Sequence, residues 1–156
     1  MYLRILDKLL YQQFACTSSF KNLNTIQFKN LLKDYNSSDW KQYTKNNVSS
    51  YVKYKYISPI KHNHYSIEIL SWPPNIESKI HTHASNGCLM KILDGNLTEE
   101  KYNSNLDLIA KNTFFKNDIT YIDDTIAFHK IINSSNHYAY SLHIYSPNNY
   151  ITKILK

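Results

Sequence analysis

The sequence predicts a mainly β protein, a barrel or a sandwich, whose N-terminal part is a helical cover. Apolar residues recur at helical spacing up to about residue 45, and from residue 51 onward the spacing changes to a period of two. Short runs rich in β-branched and aromatic residues then alternate with turns that contain Pro or Asn. Helices followed by many short strands are typical of barrels and sandwiches.

The helical part is predicted over residues 1–45. Leu3, Leu6 and Leu10 recur at helical spacing in the first stretch, and residues 26–35 repeat the pattern with Ile, Phe, Leu and Tyr. Asn and Ser residues end the second stretch and separate it from a short turn before the strands begin. We therefore expect two helices that cover one side of the β structure.

The remainder of the chain predicts a series of short strands. The runs at strand length are residues 51–57, 65–72, 80–93, 118–122, 127–132 and 138–145. A length of 156 residues suits one domain spanning residues 1–156, with the β-barrel core over residues 50–146. A chain of this size buries roughly 70% of its unfolded surface, so it can form a core without disulfides.

Composition argues against several partners and compartments. The net charge of +6 comes from lysines scattered among polar residues, which predicts a solvated surface and no nucleic-acid groove. No apolar run approaches the length of a bilayer, so no membrane association is expected. The N-terminus resembles a signal segment, but Asp7 and Lys8 interrupt its apolar centre. Two lone cysteines, Cys16 and Cys88, indicate a reducing and therefore cytoplasmic setting.

The clearest candidate site is a His-x-His pair, His81 and His83, inside the predicted strand 80–93. A strand points residues i and i+2 to the same face, so two imidazoles at this spacing can bind one metal ion from one side. His129 lies in a later predicted strand and can complete a three-imidazole face in a β-barrel. Imidazole suits iron, copper, nickel and zinc, and three protein ligands leave positions open for reaction.

An incidental His-x-His pair is the alternative interpretation. A second pair with the same spacing, His62 and His64, lies in a polar turn without an apolar strand around it. We predict that these two side chains are exposed. His137 also lies in a polar turn and is expected to be exposed.

A second polar group lies in the last predicted strand. Ser141, His143 and Tyr145 alternate, so all three side chains face the same way. From spacing alone, they are either a functional group or three buried polar residues that satisfy one another.

Together these residues resemble those of the cysteine dioxygenase family, iron-dependent members of the cupin superfamily. The elements that carry the resemblance are Trp72, the His81-x-His83 pair, Cys88, the MKIL run, Gly95, His129 and SLHIYSP. The general cupin pattern has Glu where this chain has Cys88, an exchange typical of animal-type cysteine dioxygenases. The resemblance implies the cupin fold, a jelly-roll barrel called the double-stranded β-helix.

The resemblance also implies a reaction. His81, His83 and His129 would be the ligands of Fe(II), and O2 would be the co-substrate. The product would be cysteine sulfinic acid, made by adding both oxygen atoms to the sulfur of L-cysteine. The family further implies a monomer whose partner is a small-molecule thiol.

Four further residues receive roles from the resemblance. Tyr145 corresponds to the tyrosine whose hydroxyl points into the iron site, with His143 and Ser141 as a hydrogen-bonding relay behind it. Cys88 is expected beside Tyr145, where animal-type enzymes can form a Cys–Tyr thioether, a protein-derived cofactor. The alternative for Cys88 is a buried free thiol that packs as a small apolar residue.

The substrate anchor is where this chain departs from the family. The family has Arg in a Tyr-x-Arg strand, whereas this chain has Tyr51 followed by Lys53, or by Lys55 if the chain is aligned backward from Trp72. We place Tyr51, Lys53, Lys55 and Trp72 with the substrate-binding residues. Lysine lacks the planar fork of guanidinium. Another thiol substrate (a mercapto acid or an amino thiol) is therefore one alternative, and a non-catalytic metal-binding cupin is a separate one.

Overall fold

The computed structural model describes residues 1–17, 19–20 and 24–156. Within these ranges, three helical segments precede the strands: α1 (Leu3–Thr17), α2 (Asn24–Asp34) and a short 3-10 helix (Asp39–Tyr43). The leucines that predicted α1, Leu3, Leu6 and Leu10, are all buried. The helical part therefore lies where the apolar spacing predicted it. In the described part of the chain, no helix combines the length and the apolarity needed to cross a bilayer.

Within the described residues, nine strands follow, and every pair of neighbouring strands is antiparallel. They are β1 (Val52–Tyr56), β2 (Ser66–Trp72), β3 (Ile76–Glu77), β4 (Cys88–Asp94), β5 (Asn96–Tyr102), β6 (Leu108–Phe115), β7 (Ile119–Ile122), β8 (Phe128–Asn133) and β9 (Ala139–Tyr145). One sheet has the order β1-β2-β9-β4-β7, and the other has the order β3-β8-β5-β6. The mainly β prediction with a helical cover is confirmed.

The five-stranded sheet separates two apolar regions. On β2, Ile67 and Ile69 pack with the helices, whereas the alternate residues Leu70 and Trp72 pack in a second cluster with Met90. This alternation follows from the period of two in a strand. The helices therefore cover one face of the sheet, and the other face is left to line the interior between the two sheets.

Two parts of the strand prediction were wrong. The predicted run 80–93 is a strand only from Cys88, and a turn with Gly87 at φ +90° precedes it. A Cβ at Gly87 would lie 2.6 Å from the Ile122 carbonyl oxygen, so this turn requires glycine. The short strand β3 and the longer strands β5 and β6 were not predicted at all.

The second His-x-His pair was predicted to be exposed, and this was also wrong. His62 and His64 are half-buried among aromatic rings. The ring centroid of His62 lies 4.3 Å from that of Tyr65, and the ring of His64 stacks on Phe14 at 6.1 Å. The polar residues of the turn gave no indication that α1 packs over it through Phe14.

A buried lysine fastens the helical cover to the barrel. Lys91 on β4 is 1% exposed, and its Nζ donates to the carbonyl oxygens of Leu32 (2.8 Å) and Tyr35 (2.6 Å) at the C-terminal end of α2. Unpaired carbonyls and the negative end of the helix dipole favour a cation at this place. Burial lowers the pKa of Lys91, so these carbonyl contacts must compensate for the loss of water.

We expect Lys91→Met to lower the free energy of unfolding by about 2 kcal/mol, because it leaves buried carbonyl groups without a donor. Urea unfolding followed by circular dichroism measures the change. Lys116→Met is the matched control, since the Lys116 side chain is 61% exposed and pairs only at the surface with Asp94. A Lys91→Met protein as stable as the wild type would show that the carbonyl contacts contribute nothing.

Candidate active site

The structure brings the three predicted histidines together. His81 lies in an isolated β-bridge with His129, which is on β8, and the two backbones exchange hydrogen bonds of 3.0 and 3.5 Å. His83 follows in the loop before β4. One nitrogen from each ring lies within 4.8 Å of the other two, and the Nε2 atoms of His81 and His129 are 3.2 Å apart.

Each ring is oriented from outside the cluster through its other nitrogen. The Nδ1 atoms are bonded as follows: His81 to the Lys79 carbonyl oxygen (2.7 Å), His83 to Asp124 Oδ1 (2.9 Å) and His129 to Glu99 Oε1 (2.8 Å). A carbonyl or carboxylate oxygen accepts, so each Nδ1 carries the proton and each Nε2 presents a lone pair. Such partners fix the tautomer and orientation of metal-binding histidines.

Among the residues that the structure describes, the inward-facing nitrogens have no adequate partner. His83 Nε2 is buried and has no hydrogen-bond partner in the described part of the chain. The Nε2 atoms of His81 and His129 face each other as two acceptors, so no proton lies between them to bond them. A cation at the centre would satisfy all three lone pairs at once. The residues present therefore fit a metal ion.

Burial keeps the imidazoles of His81 and His129 neutral, as metal binding requires. It lowers the pKa of His81 to about 4, against smaller opposing effects of the Lys79 carbonyl and Asp124. Burial also holds the pKa of His129 well below its usual value, and the neighbouring His83 and His81 add to this. Within the described residues, the cluster consists of three imidazoles without a carboxylate. That donor set suits Fe(II), copper, nickel or zinc and leaves coordination positions free.

A cavity of about 30 Å³ lies against two of the three clustered histidines, His81 and His129. Its wall includes Tyr51, Lys53, Trp72, His81, His129 and Tyr145. The rings of Tyr51 and Trp72 stack with centroids 4.7 Å apart. Lys55 lies elsewhere: its Nζ donates to the Asn148 carbonyl oxygen at 3.3 Å, and it lines a separate cleft. Of the two lysines considered as anchors, the structure places only Lys53 at the cavity.

Four predicted residues form a continuous chain of hydrogen bonds along the cavity wall. The indole Nε1 of Trp72 donates to Ser141 Oγ at 2.8 Å, and Ser141 Oγ is 2.8 Å from His143 Nε2. His143 Nδ1 is in turn 3.2 Å from the Tyr145 hydroxyl. All four side chains are buried. The alternation along β9 thus directs Ser141, His143 and Tyr145 into one interior row.

Cys88 lies beside the end of this chain. It is the register partner of Tyr145 across β4 and β9, and its Sγ is 3.7 Å from His143 Nδ1. The two residues share a small buried cluster with Ala84 and Ala127. Burial raises the pKa of the Cys88 thiol, so the free cysteine is protonated. The expected neighbourhood of Cys88 and Tyr145 is present.

Four residues around the site were missed by sequence reasoning. They are the two carboxylates that orient histidine rings, Glu99 and Asp124, and a second polar pair near Tyr145, Glu68 and Tyr150. None of them belongs to a motif with recognisable spacing. Burial of Glu99 follows from its place on β5, a strand that the sequence did not predict.

The segment after β9 returns along the His-x-His loop. Thr82 N donates to the Lys153 carbonyl oxygen at 3.0 Å, and Leu155 N donates to the Ile80 carbonyl oxygen at 2.9 Å. Thr152 lines the cavity from this segment. The segment that follows β9 therefore completes the cavity wall beside the His-x-His loop.

Comparison with known proteins gives consistent matches. The sequence profile of the family described as cysteine dioxygenase type I matches residues 11–153. Cysteine dioxygenase type 1 of Danio rerio is 29% identical over 155 aligned residues, which cover 91% of this chain and 73% of the relative. That of Rattus norvegicus is 34% identical over 90 residues, which cover 53% of this chain and 45% of the relative. The chain thus spans about half the length of the rat relative it matches.

Solved structures support the fold. A conserved protein of Klebsiella pneumoniae with a double-stranded β-helix domain superposes with a TM-score of 0.62 at 12% identity. The superposition covers 79% of this chain and 99% of that protein. The predicted double-stranded β-helix, the cupin fold, is confirmed.

Proposed function

Because the chain belongs to the cysteine dioxygenase type I family, we propose that it is a non-haem iron thiol dioxygenase that oxidises L-cysteine with O2 to cysteine sulfinic acid. The observation that carries the proposal is the convergence of three imidazoles, each oriented through Nδ1, beside the row of hydrogen-bonded side chains that ends at Tyr145. A protein that only stored a metal ion would not need this buried polar row.

His81, His83 and His129 would hold the iron through their Nε2 atoms. When bound there, Fe(II) supplies the Lewis acidity that deprotonates a thiol and the redox chemistry that activates O2. Overall, the sulfur gains both atoms of O2 and loses four electrons to them, so no further oxidant is needed.

The protein's own residues bind and orient the substrate. Lys53 provides a cation at the cavity for the substrate carboxylate, and the stacked rings of Tyr51 and Trp72 form a wall that excludes water. The Tyr145 hydroxyl offers a hydrogen bond inside the cavity, and His143 and Ser141 fix its direction.

We also propose that Cys88 and Tyr145 form the thioether. The C–S bond would replace the S–H bond of Cys88 and one ring C–H bond of Tyr145, with O2 taking up the two hydrogens. Direct pairing of the two residues across β4 and β9 supports this.

A monomer in the cytoplasm is part of the same proposal, and the presence of both Cys16 and Cys88 as free thiols supports the reducing setting.

We expect protein loaded anaerobically with Fe(II) to consume one O2 for each sulfinate formed from L-cysteine. Oxygen uptake and mass spectrometry of the product measure this ratio, and ¹⁸O2 should place two labelled atoms on the sulfur. The zinc-loaded protein is the control, because zinc occupies the same donor set without redox chemistry. Cystine as the sole product, or no uptake, would contradict the proposal.

A further inference from the structure

A buried carboxylate in the barrel interior takes no part in the metal cluster or the polar row. Glu68 on β2 is 6% exposed and is the register partner of His143 on one side and of Lys55 on the other. Its side chain therefore faces the same interior as the row on β9. A buried carboxylate requires a counter-ion and hydrogen-bond donors.

Glu68 has both, and its counter-ion, Lys53, lies in the cavity wall. Lys53 Nζ lies 3.5 Å from Glu68 Oε2, and the Tyr150 hydroxyl donates to the same carboxylate, at 3.1 Å from Oε1 and 3.2 Å from Oε2. The Tyr150 ring stacks on Tyr145 with centroids 4.2 Å apart. Lys53 is therefore already the counter-ion of Glu68 within the protein.

We propose that Glu68 is a specificity-determining residue that acts through Lys53 and reduces the preference of the site for thiols that carry a carboxylate. The substrate carboxylate and Glu68 compete for one ammonium group. An amino thiol without a carboxylate, such as cysteamine, meets no such competition. The site should consequently accept amino thiols more readily than a site with an unpaired cation would.

Tyr150 sets how strongly Glu68 holds the lysine. Its hydroxyl takes up part of the carboxylate's negative charge by donating a hydrogen bond. Burial and the charge of Glu68 raise the pKa of Tyr150, so it stays a donor at neutral pH. Without this hydroxyl, Lys53 would be the main partner of Glu68 and the pair would tighten.

The test compares dissociation constants for L-cysteine and cysteamine under anaerobic conditions. Isothermal titration of the iron-loaded protein gives both constants without turnover. We expect the preference for L-cysteine over cysteamine to rise about threefold to fivefold in Glu68→Gln, the upper part of the range for an exposed ion pair, because Glu68 itself is buried. Glu77→Gln is the matched control, because the Glu77 side chain is 54% exposed and pairs with Lys130.

A second variant should not show this rise in preference. Tyr150→Phe should leave the preference for L-cysteine at or below that of the wild type. A rise in both variants, or equal changes for both thiols in Glu68→Gln, would indicate a merely structural role and overturn the inference. If Glu68→Gln does not fold, a rise in Tyr150→Phe alone would still refute it.

The inference rests on the proposed function only in taking this cavity as the thiol site. Absence of oxygen uptake with tight thiol binding would refute the proposed reaction and leave the charge selection standing. Normal oxygen uptake with an unchanged preference in Glu68→Gln would refute the charge selection and leave the proposed reaction standing.

Discussion

Replacing His129 with alanine is expected to abolish iron binding. His129 is 4% exposed, its Nε2 lies 3.2 Å from that of His81, and its ring is 4.4 Å from the His83 ring. Without it, two imidazoles remain, and neither belongs to a regular strand. Loss of a residue that only orients a ligand weakens metal binding roughly 10–100-fold, so loss of the ligand itself should weaken it by more than about 100-fold.

Iron content measures this directly. The wild-type and variant proteins are loaded with Fe(II) without oxygen, desalted and assayed for iron per chain. His137→Ala is the matched control, because His137 is exposed in a turn outside the cluster. Iron retained in full by the His129→Ala protein would refute the assignment of the three-histidine centre.

The convergence of the histidines could be predicted even though the local structure around two of them could not. The spacing of His81 and His83 suggested a strand, but the segment 80–87 forms only an isolated bridge before the turn at Gly87. Their rings still reach one centre because the His81 backbone pairs with His129 and Asp124 holds the His83 ring. Tertiary contacts therefore position the two rings, although the pattern had predicted that a regular strand would do so.

The sequence did not predict β5 and β6 for a different physical reason. β5 buries two acidic residues, Glu99 and Glu100, whose charges pair with lysines, and Glu99 also accepts a hydrogen bond from His129. A sequence pattern counts such residues as polar and therefore as exposed. β6 is an edge strand whose residues are mostly exposed, so it lacks a clear apolar face. Neither strand has the alternation that made β8 and β9 visible.

The same limit hid the residues that tune the site. The row on β9 was visible because Ser141, His143 and Tyr145 alternate on one strand. Glu68 and Tyr150, in contrast, are distant in sequence and act together only because the chain returns to the cavity after β9. Ligand types can be predicted from a motif, whereas the charge balance around them depends on pairs that only the fold creates.

Tyr145→Phe is expected to lower the rate of oxygen consumption with L-cysteine by about 100-fold, the usual effect of a positioned proton donor or acceptor. The phenylalanine ring would keep the stacking on Tyr150 and on His143, at centroid distances of 4.2 and 5.7 Å, and lose only the hydroxyl. Tyr140→Phe is the matched control on the same strand, because the Tyr140 hydroxyl bonds to Asn46 on the other face.

Intact-mass measurement of the same proteins tests the thioether. The wild-type protein isolated after aerobic turnover should contain a fraction lighter by two hydrogens, and both Tyr145→Phe and Cys88→Ser should lack it. The two variants separate the roles, since Cys88→Ser removes the crosslink but retains the hydroxyl of Tyr145. Its rate should therefore exceed that of Tyr145→Phe. Equal rates in the two variants would show that the crosslink, and not the hydroxyl, is what the row on β9 supports. A lighter fraction that survives in Cys88→Ser would exclude Cys88 as the partner.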